Sequence, residues 1–101
     1  MTNPLSPKKR LFEQFARVAK SLASANRLEL LEALAQGERG VDALSQASGM
    51  SVANTSHHLQ ILREGGLVQS RKEGLQVIYN LAGDDVLRLI SAMRQVAETH
   101  L

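Results

Sequence analysis

The sequence predicts a mainly α domain that carries one small β-hairpin. Three observations predict it. Apolar residues recur at spacings of three and four over most of the 101 residues, the period of helices with one buried face. Residues 67–72 and 76–81 switch to a period of two, with Glu73-Gly74 between them as a turn signal. Glycines at 37, 40, 49, 65, 66 and 83 stand where helical segments stop or start.

The elements follow in order. Residues 8–22 place Leu11, Phe12, Phe15, Val18, Ala19 and Leu22 on one stripe. Residues 26–36 are strong helix formers, with Ser24 or Asn26 as cap and Gly37 as stop. Residues 41–48 form two short turns around Val41 and Leu44, closed by a left-handed Gly49. Ser51 caps a helix that runs from Val52 to about Glu64, whose inward face is Val52, Thr55, Leu59 and Leu62. In the hairpin, Val77, Tyr79 and Leu81 alternate against Gln76, Ile78 and Asn80. Asp84 and Asp85 then open a last helix, where their charge suits the dipole, and Val86, Leu89, Ile90, Met93, Val96 and Ala97 give it a broad apolar face.

Composition excludes several classes. There is no Cys, which removes disulfides, thiolate metal sites and thiol nucleophiles together. No Gly-rich phosphate loop or nucleophile motif is present, so the expectation is not an enzyme and no cofactor. No apolar run reaches the ~18 residues of a membrane span, which predicts a soluble, cytoplasmic protein. The net charge of +2 is small, but residues 1–20 carry +4 through Lys8, Lys9, Arg10, Arg17 and Lys20 against Glu13. Phe12, Phe15 and Tyr79 are the aromatics, and so small a leucine-rich core points to self-association of a single domain spanning 1–101.

Helix, helix, short helix, tight turn, helix, hairpin, helix is the order of a winged helix-turn-helix. The Gly49-Met50-Ser51 turn lets the helix from Val52 project a polar face into a DNA major groove. Asn and Gln can pair with two edges of adenine, and Ser, Thr and His offer single donors or acceptors. The candidate DNA-binding residues are therefore Ser51, Ala53, Asn54, Thr55, His57, His58, Gln60 and Arg63, with Arg71 and Lys72 of the hairpin reaching the neighbouring backbone or minor groove. The competing reading is a winged helix that binds protein without specific DNA recognition.

Three fragments resemble the ArsR/SmtB family of bacterial repressors. Residues 49–68 carry a pattern similar to its recognition helix, Ser56-His57-His58-Leu59 leading to Gly66-Leu67-Val68. Arg71-Lys72-Glu73-Gly74 followed by Tyr79-Asn80-Leu81 resembles its wing, and Ala25-Asn26-Arg27-Leu28 the start of its second helix. The resemblance implies a homodimeric repressor on an imperfectly palindromic operator, released by an effector that the residues do not identify. It implies an interface of the first and last helices, hence Leu11, Phe12, Phe15 and Val18 with Leu89, Ile90, Met93, Val96 and Ala97. Where many relatives place sensor thiolates, this chain has Gly40 and Asp42. Of the family's last-helix metal ligands only Asp84, His100 and neighbouring carboxylates remain, about 24 Å apart along one helix, so no metal is expected beyond Asp84 and His100 as weak candidates. Leu75 follows Gly74 where relatives often carry Arg.

Overall fold

The computed structural model describes residues 6–101; residues 1–5, included in the expected single domain, lie outside the described residues. The elements are α1 (Pro7–Leu22), α2 (Ala25–Ala35), β1 (Arg39–Gly40), α3 (Val41–Ser48), α4 (Val52–Glu64), β2 (Val68–Glu73), β3 (Gln76–Leu81) and α5 (Asp84–Thr99). Helix starts follow their local chemistry. Ser6, Ser24 and Ser51 each accept a hydrogen bond from the backbone N–H three residues on, at 3.2, 3.2 and 3.1 Å, which satisfies donors that the helix itself leaves free. Gly49 ends α3 at φ 74°, a left-handed conformation that a side chain would disfavour, and its N–H bonds to the Ser45 carbonyl at 3.0 Å.

The sheet departs from the expected hairpin in three ways. A third strand, β1, pairs antiparallel with β3, giving the order β1-β3-β2 with Arg39 opposite Tyr79 and Gly40 opposite Ile78. Two residues are too few for any periodicity to show. Because β3 is thereby the central strand, Val77 to Leu81 are all half-buried rather than alternating. The turn is also one residue later than Glu73-Gly74 suggests, since Glu73 pairs with Gln76 and the loop is Gly74-Leu75. Gly74 has φ 64° and no described non-glycine residue has positive φ, so this is a II′ turn with glycine at its first central position.

Leucines build the core. Leu30, Leu31, Leu44, Leu59 and Leu62 are fully buried, joined by Leu22, Leu34, Leu67, Val68, Val86 and Ile90. These bring α2, α3 and α4 together, with α5 and the base of the sheet packed on the rim. Among the described residues no helix is long and apolar enough to cross a membrane. The radius of gyration is 15.1 Å, whereas a compact domain of this length has about 13 Å. The excess comes with apolar side chains of α1 that remain at the surface: Leu11, Phe12 and Phe15 are more than half exposed.

Candidate nucleic-acid interface

Helix α4 has one face in the core and one in solvent. Thr55, Leu59 and Leu62 are buried, and at 100° per residue the row diametrically opposite them is Ala53, His57, Gln60 and Glu64, all exposed. Asn54 lies exposed on one flank of this row, and Ser56 and Arg63 on the other. Ser51 stands at the helix start, with its hydroxyl oxygen already bonded to the Asn54 N–H. The Gln60 amide donates to Glu64 Oε1 at 3.1 Å, which leaves its carbonyl oxygen and one N–H available.

Two expectations for this helix are corrected. Thr55 is 0% exposed, so it cannot serve as a DNA-contacting residue; its position on the helix outweighs its polar type. Val52, expected on the inward face, is exposed, because as the first helical residue it stands at the edge of the packed stripe. Thr55 Oγ1 has no hydrogen-bond partner, and a buried hydroxyl left unpaired costs about 1–3 kcal/mol. Thr55→Val should therefore raise the urea midpoint, by about 1 kcal/mol of stability, while leaving affinity for DNA unchanged. A weakened DNA complex in this variant would restore Thr55 to the contact set.

Arginines hold α4 against the first two helices. Arg17 of α1 donates to the Glu64 carbonyl at the end of α4, at 2.6 Å. Arg27 of α2 donates to the Ser21 and Lys20 carbonyls at 2.7 and 3.2 Å, capping the C-terminal end of α1 where a cation suits the dipole. Its remaining nitrogen reaches His58 Nδ1 at 3.4 Å. Arg27 has only donors, so His58 Nδ1 accepts and the ring proton sits on Nε2. A Cβ on Gly65 would run into the Ser21 hydroxyl, so α1 and the end of α4 meet at closest approach there. Beyond the resemblance at Ala25 to Leu28, nothing in the sequence marks Arg17 or Arg27, since their partners on α4 lie 47 and 31 residues away.

His58 is thus half-buried and engaged, unlike the exposed His57. Burial, followed by the positive charges of Arg27 and His57, holds its imidazole below the ordinary value of 6.5. Between the two values the unfolded chain binds the proton and the folded chain does not, so stability falls as the pH drops from neutrality below 6.5. Urea midpoints measured from about pH 7.5 to about pH 5.5 should decline more for the parent than for His58→Gln. Equal declines would remove His58 as the cause.

The hairpin presents its two basic residues differently. Lys72 is exposed near the tip, beside the fully exposed Leu75. Arg71, expected to reach the neighbouring backbone or minor groove, is held by two carboxylates. Its terminal nitrogens bond both oxygens of Glu38 at 2.7 Å, and Glu73 Oε2 accepts from Nε at 3.1 Å and from a terminal nitrogen at 2.8 Å. These hydrogen bonds hold the Glu38 carboxyl below its usual range and raise the Arg71 guanidinium further above neutrality.

The remaining candidates lie on α1 and α5. Leu11, Phe12, Phe15, Val96 and Ala97 are exposed, with the Phe12 and Phe15 rings edge to face at 5.2 Å. Val18, Leu89 and Met93 are half-buried against the core of their own chain. Ile90 is corrected: at 7% exposure it belongs to that core and offers no interface surface. Asp84 and His100 stand at opposite ends of α5, and no group of three or more metal-ligating side chains is found among the described residues.

Comparison with known proteins agrees with this architecture. The family described as bacterial regulatory protein, arsR family, matches residues 24–70, the stretch from the cap of α2 through the start of the wing. An HTH-type transcriptional regulator of Mycobacterium tuberculosis is 48% identical over 90% of the chain, which spans 40% of that regulator's length. The biofilm growth-associated repressor of Agrobacterium fabrum is 38% identical, with 89% of this chain and 77% of the repressor covered. Among solved structures, the homodimeric winged helix-turn-helix DNA-binding domain (fragment 1–100) of a Mycobacterium bovis protein superposes with a TM-score of 0.89 at 46% identity. That match covers 100% of this chain and 94% of that one. NolR of Sinorhizobium fredii superposes with a TM-score of 0.80 at 31% identity, covering 94% and 96%. A helix-turn-helix with a capped second helix, a wing behind it and relatives of this likeness across nearly its whole length leave one assignment, and the chain belongs to the ArsR family of bacterial regulatory proteins.

Proposed function

We propose that the chain is a sequence-specific DNA-binding domain that works as a homodimer and represses transcription from an imperfectly palindromic operator. The observation that carries this reading is the outward row of α4, exposed along its length and polar from His57 onward, on a helix whose opposite face is locked into the leucine core. A rigid scaffold with exposed Asn54, His57 and Gln60 suits base-edge reading in a major groove, with Ser51, Ala53 and Arg63 beside them and Lys72 on the wing. His58 supports α4 from behind through Arg27 rather than reading bases. The exposed side chains Leu11, Phe12, Phe15, Val96 and Ala97 on α1 and α5 supply a surface for a second copy, with Val18, Leu89 and Met93 at its edge. A two-fold dimer then sets its recognition helices about 34 Å apart, one turn of DNA.

These 101 residues hold no cysteine, so no thiolate of this domain binds a metal or changes oxidation state. The chain carries no catalytic constellation in this reading, and its place of action is the cytoplasm, where the DNA is.

The test is an anisotropy titration with labelled duplex from upstream of the chain's own gene, against random duplex, at two salt concentrations. Specific binding that weakens steeply with salt is expected. Asn54→Ala and Gln60→Ala should each lower the specific affinity by about 1–3 kcal/mol and leave binding to random duplex almost unchanged. Equal affinity of the parent for both duplexes would favour a protein-binding winged helix instead.

A further inference from the structure

The wing of this chain carries two cations, and one of them is fully matched by carboxylates. The register sets Arg71, Ile78 and Gly40 in one row across the three strands. Gly40 has no side chain, and Glu38 lies two residues before it, so the Arg71 guanidinium reaches across β3 to the segment behind α2. There it makes a bidentate pair with Glu38, the strongest geometry open to an arginine and a carboxylate, and on its near side it bonds Glu73 twice. One positive charge faces two negative ones. The cluster is net −1 and open to solvent, with the Arg71 side chain 46% exposed.

Isolated surface pairs contribute little, because water and salt screen them. Here the guanidinium commits four of its five N–H donors to two carboxylates, so a phosphate could take a bidentate position only by displacing a carboxylate. The phosphate would also approach two carboxylates of its own sign. Among the described residues neither glutamate side chain bonds anything but Arg71, and both are at least half exposed, at 51% and 63%. Their positions therefore answer to Arg71 and not to packing.

We infer that Glu38 and Glu73 act as affinity-setting residues, sequestering Arg71 so that the wing of each protomer engages DNA through Lys72 and the Gly74-Leu75 tip alone. The inference rests on the DNA-binding reading above and adds to it. It makes the wing a weak phosphate binder, which lowers affinity for any duplex and leaves discrimination to α4. It also ties the wing to the segment that follows α2.

The test is a salt titration of random duplex binding with the parent, the double variant Glu38→Gln with Glu73→Gln, and the same double variant combined with Arg71→Gln. Each phosphate newly neutralised steepens the slope of log affinity against log salt by about 0.9, so two freed wings steepen it by about 1.8. Between about 50 and about 200 mM salt, that enlarges the fall in affinity roughly tenfold. Parent and triple variant should share the shallower slope. Specific binding of the parent to its operator duplex, run alongside, tests the functional reading separately. The inference is overturned if the double variant keeps the parent slope, which would mean that Arg71 already leaves the glutamates for DNA. It is equally overturned if the triple variant gains the same steepening, since the gain would then come from lost negative charge and not from Arg71. Circular dichroism on all three chains, altered only at exposed residues, establishes that the comparison is between folded proteins.

Discussion

Replacing Phe12 and Phe15 together by Asp is expected to convert the proposed dimer to folded monomers. Each ring is 54% exposed in the single chain, so about half of its area remains to be covered by a partner. Fully burying a phenylalanine contributes roughly 1.5–3 kcal/mol, which leaves about 1 kcal/mol for the half still open. Two-fold symmetry counts both positions twice, so four rings contribute about 4 kcal/mol, close to a thousandfold in the dimer dissociation constant. Asp adds an unpaired charge wherever contact persists. The rings lie outside the leucine core, so the far-ultraviolet circular dichroism of each protomer should not change. Light scattering across a dilution series reads the outcome directly. A variant that stays dimeric where the parent is dimeric would move the interface away from the start of α1.

The second large effect lies beneath the reading face. Leu59 is fully buried and ties the middle of α4 to the core leucines of α2 and α3. Leu59→Ala should cost about 2–5 kcal/mol, through the lost burial and the cavity left behind. Small domains hold only about 5–15 kcal/mol in total, so this single change takes a large share. Urea unfolding at a fixed protein concentration is the appropriate measurement, since dimerisation makes stability depend on concentration. DNA affinity should fall with it, because α4 loses the packing that fixes its outward row. A midpoint within experimental error of the parent would mean that Leu59 is not a core anchor.

These two changes touch features of different legibility. The α4 boundaries, the Ser51 cap and the Gly49 stop are readable because each depends on neighbours within four residues. The buried Leu59 and Leu62 follow from helical period alone. Thr55 has the chemistry of a contact residue and the helical phase of a core residue, and the phase decides burial. Ile90 shows a different limit. Helix α5 has a wide apolar stripe that serves its own core on one side and is exposed on the other, and periodicity does not divide the two. Arg71 and Glu38 are 33 residues apart and meet only because the two-residue β1 pairs with β3, a strand too short to leave a pattern in the sequence. The Arg27 contact with His58 has the same origin, in helix packing rather than in any local pattern.

In the proposed function a two-fold dimer reads base sequence through the outward row of α4 and its Asn54 flank. Selection of bound duplexes from a random pool tests it with no operator sequence assumed. The expected result is an enriched inverted repeat whose half-sites lie about 10 base pairs apart, centre to centre, and whose enrichment is lost for Asn54→Ala. A bound pool with the base composition of the input, or a single unrepeated site that Asn54→Ala selects equally well, would contradict it.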